Sequence, residues 1–381
     1  MTLDAEAGNA LETVRVQSVT RNLFKIGCII GTRAFKTTGY IGCLSGLYLL
    51  VPLALGAQLL SVTVYDIVSH GKLDLSSKTV MMNAVALWTF AGLMAQVFSY
   101  SHGRAECVQK MEVLFEQIDR SKSSAALHLD LPGIRRNINR GIILAIICLF
   151  FATVLALMVY MDLVAVIYWP TWVDYRIHKW IIPFNIVSIL YMLSALAYIA
   201  LTYYAYCHVI ASCLRSLTGQ VKLLSGRKER CAIARLSSYE DTLDHLCEAN
   251  ILVNNMFKHY NAIVLVASLA VLTVLGYSSF KDGITAATGF GSVMVLLALL
   301  VIYPSAAIRD QAQTLELHAS RIRNQSENGN ELKVQLLYFI QQVKSTEFGI
   351  TVADCFIIDR TTLIALISTV FTYLIIMLQS A

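Results

Sequence analysis

Seven stretches of the sequence are long and apolar enough to cross a bilayer: 40–66, 80–100, 141–160, 181–210, 262–277, 286–303 and 361–379. Lipid offers no partner to a bare peptide group, so apolar runs of this length fold as helices. Composition agrees. Charged residues make up 14% of the 381, where soluble chains carry roughly 25%. The fifth and sixth runs are short, and Lys281-Asp282-Gly283 between them reads as a tight turn, so seven spans fit better than six. The expected class is an all-α membrane protein.

The basic residues set the orientation. Of the 30 Lys and Arg, 25 fall in the N-terminal segment and in the connections after spans two, four and six. Only 5 fall after spans one, three and five. The positive-inside rule then places the N-terminus in the cytoplasm and, with seven spans, the C-terminus outside. This is opposite to the G-protein-coupled receptors, whose Asp-Arg-Tyr and Asn-Pro-x-x-Tyr signals are also missing. The first 38 residues have no signal-peptide pattern. The nine cysteines are scattered, with no CxxC pair and no spacing that suggests zinc. No metal or cofactor is expected.

The cytoplasmic side carries the longer connections. Span four, at 30 residues, would reach about 45 Å at 1.5 Å per residue, against a hydrocarbon core near 30 Å, and should project inward. Before span five, Leu236, Tyr239, Leu243, Leu246, Val253, Phe257 and Tyr260 recur at three and four, with Asn250 filling the gap. That pattern predicts an amphipathic helix running into the membrane. After span six, 305–323 reads as helix, NQSENGN (324–330) as a turn, and 331–344 as a second helix with Leu332, Leu336, Phe339, Ile340 and Val343 on one side. Gly349 separates this helix from the segment leading to the last span. The expected organisation is a cytoplasmic N-terminus (1–39), four spans (40–210), a helical extension (211–261), two spans (262–303), a helical hairpin (304–360) and the last span (361–381).

The last span holds Thr372 and Tyr373, five apolar residues, then Gln379. Helical spacing puts Thr372, Ile376 and Gln379 on one face. An amide at the end of an apolar helix needs an interface, another helix or water. The Thr-Tyr…Gln motif is similar to the C-terminal signature of insect gustatory receptors, which share a superfamily with the insect odorant receptors. The stretch Phe356-Ile357-Ile358-Asp359-Arg360-Thr361-Thr362-Leu363 resembles the segment that family places before its last helix. One position departs: Ser380 stands where the family usually has Phe.

The resemblance implies a tastant-gated, non-selective cation channel at the cell membrane, on dendrites of gustatory neurons, built as a homo- or hetero-tetramer with sister receptors. It implies that the last helices line a central pore for monovalent and divalent cations. Ile376 would be the hydrophobic gate, Gln379 the polar ring near the outer mouth, and Thr372 and Tyr373 would set the helix against its neighbours. A ring of Ile can close a pore by dewetting, and a ring of amides can replace part of a cation's water shell.

For the ligand, the outer halves of the spans supply Trp88, Tyr160, Asp162, Asn185, Tyr191, Tyr277 and Phe290. Aromatic walls with a few polar groups suit a small organic molecule. Tyr168, Trp169 and Trp172 fit an interfacial belt equally well. No phosphate loop, HExxH or Gly-x-Ser-x-Gly is present, so the enzyme classes those motifs mark are not indicated. The basic connections fit topology and anionic lipid, not nucleic acid. A monomeric transporter or a metabotropic receptor is the rival. It is weakened by span interiors that hold almost no charge.

Overall fold

The computed structural model describes residues 131–164, 175–225, 229–282, 286–325 and 329–380, with Phe90, Met94 and the helical positions 110–111, 113–115 and 117–118. Apart from Phe90 and Met94, the first two expected spans lie outside the described residues.

From residue 131 on, the described residues form six helices and one small hairpin. They are α1 (Leu131–Val164), α2 (Tyr175–Lys222), α3 (Glu229–Asp282), α4 (Ala286–Arg323), α5 (Asn330–Ser345), β1 (Thr351–Val352), β2 (Phe356–Ile357) and α6 (Arg360–Ser380). Three of the helices are long and apolar enough to span a membrane within the described residues. At 1.5 Å per residue, the 48 residues of α2 extend about 72 Å and the 54 of α3 about 81 Å, more than twice a hydrocarbon core. Both must therefore continue well beyond the bilayer. α3 ends at Asp282 and α4 starts at Ala286, so the fifth and sixth apolar runs belong to separate helices. α4 runs unbroken through Pro304, whose ring costs one backbone bond but does not end the helix.

The core sits where these extensions pack. α2 contributes Tyr203, Tyr206, Ile210, Leu214, Leu217 and Val221. α4 answers with Ile308, Leu315 and Ala319, and α5 with Leu332, Leu336, Phe339, Ile340 and Val343. α3 buries Leu236, Tyr239, Leu243, Leu246, Val253, Phe257 and Tyr260 in the same cluster, the full stripe expected from its spacing. Rings meet edge-on around Phe257, with centroids 5.1 Å from Tyr203 and 6.4 Å from both Tyr206 and Tyr260.

Two apolar helices thus serve different surroundings. α1 leaves Ile143, Ile146, Phe150, Phe151 and Met158 exposed, with Phe150 at 64%, as suits a helix facing hydrocarbon. Most of 196–222 in α2 is buried against other helices, so its apolarity serves a protein core.

Candidate functional site

The last helix is held at its base by a polar joint. Asp359 is its N-cap. Its carboxylate Oδ1 accepts from the Thr362 backbone N–H (2.7 Å), the Thr362 hydroxyl (2.8 Å) and the Thr361 hydroxyl (2.7 Å). The Asp359 N–H in turn donates to Thr362 Oγ1 at 3.3 Å, a capping box with Thr in the place of Glu. Hydrogen bonds from Thr361 and Thr362 hold the Asp359 carboxyl below the ordinary carboxylate range. Beside it, Arg360 pairs with Asp310 of α4 at 2.6 Å, and Ser305 of α4 donates to the Ile358 carbonyl at 3.5 Å.

Just upstream, the β1–β2 hairpin docks on α3. Thr351 pairs with Ile357 and Val352 with Phe356, antiparallel. The connection turns back through left-handed backbone at Ala353 (φ 47°) and Asp354 (φ 60°). Its partners on α3 are Asn250, Asn254 and Lys258, spaced by four and so on one face. Asn250, buried, donates Nδ2 to the Gly349 carbonyl (3.3 Å) and accepts the Gly349 N–H at Oδ1 (3.4 Å). Asn254 Oδ1 accepts from Thr351 N–H (2.7 Å) and its hydroxyl (3.0 Å). Lys258 ion-pairs with Asp354, and its carbonyl accepts the Ala353 N–H at 3.1 Å. The Lys258 contact pulls the Asp354 carboxyl below its usual range.

Gly349 cannot be replaced cheaply. Its φ of +143° suits only glycine, and a Cβ there would lie 2.5 Å from Ile357 Cγ2. Ile350, Val352 and Ile358 are buried beneath the hairpin, where Val352 and Ile358 share a small cluster with Leu265 of α3.

Beyond this joint, the described side chains of α6 that pack on its own chain form one stripe. Thr362 and Leu366 are half-buried and Val370 is 5% exposed, while Leu366 packs with the cluster formed by Leu265 and its neighbours on α3. Thr372, Ile376 and Gln379 are exposed. At about 100° per residue they lie roughly 120–180° around the helix from Val370. Tyr373 is exposed too, but only about 60° from Val370, on the edge of the packed stripe. Thr372 turns its hydroxyl to its own helix, donating to the Ser368 carbonyl at 2.9 Å. No charged residue occurs from Thr361 to Ser380.

The expected ligand residues fare unevenly. Trp88 lies outside the described residues. Tyr160 and Asp162 fall in the last turns of α1, Asn185 and Tyr191 in the first part of α2, and Tyr277 near the end of α3. Their side chains lie outside the description. Sequence reasoning did not find the joint itself: the Asp359–Thr362 cap was within reach of a capping-box reading, but the hairpin's partners on α3 were not.

A profile described as 7tm chemosensory receptor matches residues 23–381. The chain belongs to this chemoreceptor family. The receptor's fold resembles the insect olfactory receptor OR5 from Machilis hrabei solved in complex with eugenol. The TM-score is 0.71 at 14% identity, covering 96% of this chain and 100% of that one. A second OR5 structure matches with a TM-score of 0.68 at 12% identity, over 95% and 97% of the two chains. No curated protein matches the receptor's sequence. At such identities the likeness concerns the fold.

Proposed function

We propose that this receptor is a gustatory receptor, a tastant-gated, non-selective cation channel in which α6 from each of four copies faces a shared axis. One observation carries the reading. From Thr361 to Ser380 α6 carries no charge, and it packs on its own chain along Thr362, Leu366 and Val370, while the face bearing Thr372, Ile376 and Gln379 is exposed. A four-fold arrangement buries part of that face and wets the rest. Ile376 then forms the hydrophobic constriction and Gln379 the amide ring on its outer side. Tyr373, on the stripe's edge, packs the helix against its neighbours. The Thr372-Tyr373…Gln379 motif favours the gustatory branch over the olfactory one.

A tastant binds among Trp88, Tyr160, Asp162, Asn185, Tyr191 and Tyr277, in the outer halves of the spans. Two observations support this. The OR5 relative was solved with eugenol, a small aromatic molecule. α1 packs antiparallel on α2, facing Asn137 with His208, and a pairing continued along both helices would bring Tyr160 and Asn185 to the same level. The ligand drives opening only if it binds the open state more tightly. The N-terminus is cytoplasmic and the α6 end extracellular. The channel resides on dendrites of gustatory neurons, alone or with sister subunits.

The test is expression in a cell without other chemoreceptors, with patch recording under a panel of bitter compounds and sugars. Tastant-evoked cation currents in excised patches are expected. Responses that vanish on excision and need cytoplasmic signalling would contradict the channel.

A further inference from the structure

α1 and α2 enclose a cavity of about 200 Å³, open along one side and polar only at one end. Its walls on α1 are Asn137, Arg140, Gly141, Leu144 and Ala145, and on α2 Ala197, Ala200, Leu201 and Tyr204. Both sets recur at three and four, so each helix gives one face. The groove exists because Gly141, Ala145, Ala197 and Ala200 are small. It spans about 12 Å from Asn137 to Ala145 at 1.5 Å per residue.

Polarity is graded along it. Arg140, Asn137 and Tyr204 mark one end, and Arg135 and Arg136 are exposed one turn earlier. Asn137 Nδ2 lies 3.3 Å from His208 Nε2, and the His208 ring stacks on Tyr204 at 5.7 Å and 7°. These contacts close that end with hydrogen-bonding groups. Leu144, Ala145, Ala197 and Leu201 line the other end, next to the lipid-facing Ile143, Ile146 and Ile147. The arginine-rich end is the cytoplasmic one by the distribution of basic residues. At about 200 Å³ the cavity is smaller than the roughly 300–1,000 Å³ of sites that enclose an organic ligand. A groove of this size and lining suits part of an acyl chain rather than a whole organic molecule.

We infer that this groove binds an anionic phospholipid of the inner leaflet, its headgroup on Arg140, Asn137 and the nearby Arg136 and one acyl chain along Leu144, Ala197 and Leu201. Charge complementarity chooses the headgroup and the graded lining fixes which way it enters. This rests on the membrane placement of α1 and α2 and not on the pore. It therefore stands or falls separately from tastant gating.

Receptor purified in mild detergent is exchanged into nanodiscs of mixed phosphatidylserine and phosphatidylcholine, and retained lipid is counted by native mass spectrometry. The intact receptor should retain phosphatidylserine over phosphatidylcholine. Arg140→Gln, an exposed position, should weaken that preference about fivefold, the factor for roughly 1 kcal/mol per interfacial arginine. Arg235→Gln, exposed on α3, should leave it unchanged. Ala200→Phe should remove the retained lipid, with a thermal melt showing that the variant is folded; if it is not, Leu144→Trp at the groove's rim replaces it. Equal retention in Arg140→Gln and the intact receptor would overturn the proposal. So would retention in the filled variant, or equal thermal stabilisation by water-soluble glycerol phosphate, which would mark a simple anion site.

Discussion

Replacing Asn250 with Leu should release the hairpin at the base of α6. The amide is buried and meets both backbone groups of Gly349, at 3.3 and 3.4 Å. Leucine is similar in size but offers neither partner, so the Gly349 N–H and carbonyl lose their bonds where water does not reach. A buried polar group left unmade costs about 1–3 kcal/mol. Both bonds are long, which puts the combined loss near the lower part of the range for two groups, about 2–3 kcal/mol. If the loss falls on local opening of 349–358, the open fraction rises by about 30- to 150-fold, since 1.4 kcal/mol is a factor of ten. Amide hydrogen exchange reads this directly at Ile358, which donates to Ile350 at 2.9 Å, and at Ala353, which donates to Lys258 at 3.1 Å. Asn254→Ala, at a half-buried position, should accelerate the same amides less. Unchanged exchange in Asn250→Leu, with the rest of the receptor folded, would refute the assignment of Asn250 as the anchor point.

Other perturbations separate the core, the cap and the gate. Phe257→Ala removes the ring around which Tyr203, Tyr206 and Tyr260 pack, and should cost about 3–5 kcal/mol, seen as a large drop in the thermal midpoint. Asp359→Ala should cost about 0.5–2 kcal/mol of helix stability, read as faster exchange in the first turn of α6. Because the folded carboxyl titrates below its unfolded value, this stabilisation is complete above about pH 5 and is lost as pH falls through the lowered value. The cap should therefore contribute equally at pH 5 and pH 8. Gly349→Ala should disturb the hairpin more than Gly219→Ala disturbs α2, since the first Cβ meets Ile357 at 2.5 Å and the second meets nothing within 4 Å. Ile376→Ala should raise basal leak current, and an unchanged leak would remove it from the gate.

The long-range pattern was legible because periodicity is local. The three-and-four spacing from Leu236 to Tyr260 and from Leu332 to Val343 specifies which side chains face inward, and all of them are buried. Asn250 sits in that stripe as a polar interruption. Its reason was invisible, because its partner Gly349 is 99 residues away. Gly349 was legible as a break, though not as a position whose φ and contact with Ile357 exclude other residues. The hairpin escaped for a different reason. Thr351-Val352 and Phe356-Ile357 are good strand formers, but two-residue strands give no periodicity, and Ala353 in a left-handed conformation is not a turn signal that propensity suggests. Asp359 carried a readable cap signal three residues before Thr362. At the last helix, spacing grouped Thr372, Ile376 and Gln379. The fold adds that all three are exposed, as Ile364, Phe371 and Ile375 also are, and that they lie across the helix from Val370.

The central claim, that this exposed face lines a cation pathway, is tested most directly by single cysteines in the Ile376→Ala background, whose leak needs no known tastant. A charged methanethiosulfonate reagent added outside should block current through Gln379→Cys well beyond its effect on the parent, and should spare Tyr373→Cys, which lies about 60° from Val370 and away from the proposed pore face. Equal block at both positions, or none at Gln379→Cys while current flows, would contradict the account.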